Sequence, residues 1–154
     1  MLAAYATVEY ADQYLSGLMW AEAWASAPSA DKERALATAT LRIDALEAPG
    51  GGFRGRKAET VQLLEFPREG QNEPPEAIKR ACCHEALALV ELTADKAAKR
   101  RMNDRRQGVT EVSIGDVSES YASTTNAPEP VLYSDLALSL LSPYRAAKGV
   151  YPIK

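Results

Sequence analysis

Gln62-Leu63-Leu64-Glu65-Phe66-Pro67-Arg68 leads into Pro74-Pro75, and together these segments lay out the centre of the chain. Pro67 fixes its own φ and keeps Phe66 out of the helical region, so Leu63, Leu64 and Phe66 form a short extended segment pinned by packing. A helix is predicted to follow. Pro75 suits a first helical position, Glu76 favours the positive end of the helix dipole, and Ile78, Ala81, Cys82, Ala86, Leu89 and Leu92 share one broad face. This is the expected core helix. None of these residues is chemical in character, so the centre of the chain points to packing and assembly more than to catalysis.

Outward from this centre, 154 residues with 46% hydrophobic and 25% charged residues describe one globular domain with a real core. A net charge of −3 gives no global attraction for nucleic acid or acidic membranes, so any DNA contact is expected to be local. No run approaches a membrane span, Met1-Leu2-Ala3-Ala4 does not resemble a signal peptide, and a cytosolic protein without membrane partners is expected. The two cysteines, Cys82 and Cys83, are adjacent and point about 100° apart on a helix, which suits neither a disulfide nor a shared metal. Cys82-Cys83-His84-Glu85 holds no i, i+4 ligand pair, and no metal or cofactor is expected.

Before the centre, Thr7 is placed to cap a helix over residues 7 to 16, with Val8, Ala11, Tyr14, Leu15 and Leu18 near one face. Trp20 and Trp24 stand one turn apart in a second helical piece from Leu18 to Ala25 and are expected in the core. Ser29 or Asp31 can cap a third helix, on which Leu36, Ala39, Ile43 and Leu46 recur at spacings of three and four, and Pro49 ends it. Gly50 to Lys57 combines glycines with cations but has Arg56 where a phosphate-binding loop needs lysine, and reads as a flexible, solvated connection.

Beyond the centre lies the only basic run, Lys96, Lys99, Arg100, Arg101, Arg105 and Arg106, six cations within eleven residues. It reads as a solvated face or subunit contact, with DNA binding as the other use, and the core helix can extend through it. No Phe, Tyr or Trp occurs between Phe66 and Tyr121, so base stacking has no provider nearby in sequence. Val109 to Tyr121 changes period around Gly115-Asp116, predicting a hairpin with Ile114 opposite Val117 and Val112 opposite Glu119. After a polar linker, Leu132, Leu136, Leu140 and Leu141 mark a last helix ending before Pro143. Tyr144, Arg145, Lys148, Val150, Tyr151 and Ile153 then read as a partner-binding arm, residues 143–154, attached to a domain of residues 1–142. The expected fold is mainly α: a bundle of about four helices with a β-hairpin insertion and an extended C-terminal arm.

Several blocks, Thr7 to Leu15, Ala39 to Asp44, Gln62 to Arg68, Pro75 to Ala88, the hairpin, and Leu140-Leu141-Ser142-Pro143-Tyr144, resemble in order and spacing the phage head–tail connector family. Related phage sequences are also grouped as DnaT-like single-stranded-DNA-binding proteins, the alternative, in which residues 96–106 would make the contact. The connector resemblance implies an adaptor at the virion neck, made in the bacterial host cytoplasm. It would be a ring of about twelve copies that binds a portal protein and the next neck protein, with DNA passing through its lumen. Neither reading requires catalysis. His84 is the only histidine and sits on an apolar face, and no Ser/His/Asp or Cys/His constellation accompanies it, so no enzyme is expected.

Overall fold

A computed structural model describes residues 3–47, 52–95, 97, 100, 111–114, 117–120 and 132–146. The described fold is mainly α. Its helices are α1 (Val8–Ser16), α2 (Glu22–Ser26), α3 (Ser29–Asp44), α4 (Glu76–Ala94) and α5 (Asp135–Leu141), with 3-10 turns at Ala45–Glu47 and Ser142–Tyr144. Two short segments, Glu111–Ile114 and Val117–Ser120, pair antiparallel with Glu111 opposite Ser120 and Ile114 opposite Val117. Among the described residues, no helix is long and apolar enough to cross a membrane.

α4 is the hub, packed by α1, α2, α3 and α5. Its six consecutive residues Ala81 to Ala86 are all buried, as a helix surrounded at its middle requires. The single broad face expected from Ile78, Ala81, Cys82 and Ala86 is buried, but so are Cys83, His84 and Glu85 on the other sides, whereas Leu89 and Leu92 are only partly covered. Leu36, Ala39, Ile43 and Leu46 supply the α3 side of the core, as their spacing predicts. Thr7 caps α1 by accepting the Tyr10 N–H at 3.2 Å. At α3, however, neither Ser29 nor Asp31 caps: Pro28 holds the N-cap position, and Asp31 pairs with Arg34 at 3.0 Å.

A buried carboxylate ties three helices together. Glu85, on α4, takes the Arg42 Nε–H of α3 at 2.6 Å, and its two oxygens accept the backbone N–H groups of Tyr133 (3.1 Å) and Ser134 (2.9 Å) at the start of α5. Arg42 also lies 4.0 Å over the Tyr133 ring. Ser134 Oγ adds the ordinary cap by accepting from Ala137 N–H at 3.2 Å. On α5 the buried residues are Ala137 and Leu141, while Leu136, read as part of the apolar stripe, is exposed. Glu85 fixes the entry of the helix, and the side that faces α4 follows from that anchor more than from leucine spacing.

The loop from residue 52 to 75 is knitted by side chains. The Phe66–Pro67 peptide is cis, and Phe66 is buried against Tyr5, Phe53 and Tyr144 in edge-on contacts. Tyr5 OH donates to Asp44 and accepts the Phe66 N–H at 3.2 Å, joining loop to α3. Burial is the main reason that both Tyr5 and Asp44 titrate above their ordinary values. Arg68 bonds Gly55 O at 2.9 Å and Glu65 at 2.7 Å and rests beside the Phe53 and Phe66 rings. Gln62 bonds the carbonyls of Leu64 and Pro67, turning its neighbour Leu63 outward to 89% exposure, so Leu63 is not the packing residue its apolar run suggests.

Two expectations fail at the same place. The segment after Gly52 is not a solvated connection, because Phe53 is buried and Arg54 N–H donates to Tyr144 O at 2.8 Å. Tyr144 and Arg145, read as the first residues of a partner-binding arm, pack on the fold: Phe53 bridges Arg145, Arg145 O accepts Arg54 Nε–H at 2.8 Å, and Ala146 N–H reaches Gly52 O at 2.7 Å. Phe53 and Tyr144 meet on the same buried ring, Phe66, which no local pattern could reveal. The remaining arm residues, Lys148, Val150, Tyr151 and Ile153, lie outside the described residues.

Candidate nucleic-acid interface

α1 and α2 ascend α4 in chain order. Tyr10 OH donates to Glu76 in the first turn of α4, Tyr14 OH meets His84 Nε2 at 3.0 Å near its middle, and the charge of Glu22 acts on Glu91 near its end. Tyr10 and Tyr14, one turn apart, stack at 6.2 Å between ring centres, and the Arg80 guanidinium lies 5.5 Å over Tyr14. Partial burial, then the bond to Glu76, pushes the Tyr10 phenol up to about 12. Burial likewise raises Tyr14 and lowers His84, which favours the neutral imidazole beside the Tyr14 hydroxyl. These residues form a half-buried aromatic seam whose hydroxyls are already engaged.

Between the levels of His84 and Glu91 the chain turns from α1 into α2, and here the sequence misleads. Leu18 N–H returns to Leu15 O at 3.0 Å, and Trp20 then adopts φ +65°, the left-handed region. The helix expected from Leu18 onward starts only at Glu22. Trp20 and Trp24 therefore do not share a helical face: Trp24 is buried, while Trp20 is 76% exposed beside an equally exposed Met19. A left-handed tryptophan costs about 1–3 kcal/mol, and such strain concentrates at functional sites. The one signal in the sequence was Gly17, which ends α1 three residues earlier.

The turn rims a groove of 460 Å³ whose walls include Leu18, Ala21 and Trp24. On its floor, Asp12 Oδ1 accepts both Trp24 Nε1–H at 2.7 Å and Lys32 Nζ at 2.8 Å, and Lys32 stands 5.5 Å over the Trp24 ring. The bond from Lys32 holds the Asp12 carboxyl below its usual range.

The basic run begins just past this end of α4. Asp95 leaves the helical region (φ −111°, ψ 101°), and its carboxylate accepts the Ala97 N–H at 2.9 Å, so α4 does not continue unbroken into the run. Ala97 and Arg100 are helical and exposed; Lys96, Lys99, Arg101, Arg105 and Arg106 lie outside the described residues. Sequence distance hid a relation that the fold makes plain. Trp20 is 76 positions before Lys96, yet its turn stands at the level of α4 between His84 and Glu91, a short way below the point where the run departs. An aromatic provider is thus present at this end of the molecule. Among the described residues, no group of three or more metal-ligating side chains gathers anywhere.

A family model described as "Putative DnaT-like ssDNA binding protein" matches residues 2–151. No curated protein and no solved structure matches the chain. The match overturns the connector reading, with its ring, portal and neck partners, in favour of the grouping held as its alternative. The physical reason is visible in the fold. The blocks that carried the resemblance hold the α1 cap, the α3 and α4 core stripes and the Phe66 anchor, all of them packing devices that specify a helical scaffold and not its use. The chain belongs to the family of DnaT-like single-stranded-DNA-binding proteins.

Proposed function

We propose that this protein binds single-stranded DNA without reading its sequence along the backbone, stacking a base on Trp20 and neutralising phosphates with Lys96, Lys99, Arg100, Arg101, Arg105 and Arg106. The observation that carries this reading is Trp20 itself, held exposed in a left-handed turn towards the end of α4 from which the basic run departs. Family membership supports the same ligand. Single strands expose base faces that a duplex hides, and one stacked base contributes about 1–3 kcal/mol. Phosphate neutralisation releases counterions and makes affinity fall with salt. With a net charge of −3, the rest of the surface does not hold DNA, so contact is confined to this end. The role is binding, with no catalytic step.

The test is fluorescence anisotropy of a labelled single strand of about twenty nucleotides, and of the matching duplex, across a salt series. Strand binding that exceeds duplex binding is expected. Replacing the six cations by glutamine should remove most of the affinity and flatten the dependence on salt. Equal affinity for duplex and strand, or no change on replacing the cations, would overturn the reading.

A further inference from the structure

The groove behind Trp20 has features that phosphate binding does not use. Leu18 and Ala21 lie on either side of the Met19-Trp20 pair and also line the groove, so the turn that carries Trp20 borders it. The inner wall is the buried Trp24, and the half-exposed Asp12 carboxylate on the same lining is engaged through one oxygen only. Oδ1 takes both Trp24 Nε1–H and Lys32 Nζ, whereas Oδ2 receives no donor among the described residues. Glu22 also lines the groove. Two carboxylates against the single cation Lys32, already committed to Asp12, disfavour a phosphate and favour a neutral group that donates hydrogen bonds.

We infer that this groove receives one unstacked base of the bound strand and selects bases that carry an exocyclic amino group, cytosine ahead of thymine. The inference rests on the strand binding proposed above. An ionised carboxylate only accepts, and cytosine offers its N4 amino group, a pairing that acidic side chains use for this base. Thymine presents carbonyl oxygens on both sides of its lone N–H, which a carboxylate repels. The basic run thus holds the backbone of any strand, and Asp12 adds preference at one position.

Anisotropy titrations at neutral pH with oligo-dC and oligo-dT of equal length test this directly. Oligo-dC is expected to bind about threefold to tenfold more tightly, the scale of one added hydrogen bond. Asp12→Asn, which puts a donor beside the acceptor, should bring the two strands within about twofold. Ala25→Leu adds bulk to the groove lining while leaving Asp12, Trp24 and Lys32 unaltered in sequence, and should erase the same preference even if Asp12→Asn misfolds. Equal binding of both strands by the unaltered protein, or a preference for oligo-dT, overturns the inference while strand binding stands. Failure to bind either strand overturns both.

Discussion

Glu85 accepts the backbone N–H of Ser134 at 2.9 Å, so a side chain in the middle of the central helix caps the start of a helix 49 residues further along. Arg42 and the Tyr133 N–H complete the shell of this fully buried carboxylate. A buried charge is costly unless its hydrogen-bonding capacity is met, and here three donors meet it.

Glu85→Ala removes the carboxylate that Arg42 and the N–H groups of Tyr133 and Ser134, just before α5, share. The expected loss is about 3 kcal/mol, the low end for a broken buried pair because Arg42 is partly exposed. Glu85→Gln keeps an acceptor for α5 and should cost about half as much. Urea unfolding followed by circular dichroism measures both; a loss below about 0.5 kcal/mol for the alanine variant would show that α5 docks without this anchor.

The neutral His84 makes stability depend on pH. Burial lowers its pKa in the folded state below the ordinary 6.5, so the unfolded chain binds the proton more readily. The contribution is complete above the unfolded value and is lost as pH falls from about 6.5 through the lower folded value. Thermal midpoints measured from pH 7.5 down to 5, an interval chosen to span about one unit or more on each side of that value, should decline more steeply for the natural protein than for His84→Gln. Parallel curves would place the sensitivity in another group.

Tyr144 packs edge-on against Phe66, and its carbonyl accepts the Arg54 N–H. Tyr144→Ala should therefore lower stability by about 1–3 kcal/mol, less than a fully buried aromatic because the ring is half-exposed. A tail that served only to dock would leave the unfolding curve unchanged. Ile43→Ala, at a wholly buried site on α3, should cost about 2–5 kcal/mol in the same assay.

The helical skeleton was legible because its signals are local. Thr7 before an apolar repeat, the spacing of Leu36, Ala39, Ile43 and Leu46, and Pro75, expected at the first helical position and found one residue earlier as the N-cap, each act within a turn or two. What escaped was set by distant partners. Glu85 looks like a solvated charge until Arg42 and α5 surround it, and Tyr144 looks like the start of a tail until Phe53 and Phe66 meet it. Trp20 failed for a different reason: helical spacing put it beside Trp24, but a left-handed turn intervened and reversed its burial. The basic run was found as a run, while the aromatic at its end of the molecule lies far upstream in sequence.

If the strain at Trp20 serves to present an aromatic face to single-stranded DNA, Trp20→Gly separates the strain from the face. Glycine adopts the left-handed conformation without penalty, so thermal unfolding should show stability equal to or above that of the natural protein, the gain limited by the added freedom of the unfolded chain. In a parallel anisotropy titration, affinity for single-stranded DNA should fall by about 1–3 kcal/mol, the worth of one stacked base. A variant that loses stability and binds DNA as tightly as before would contradict the account.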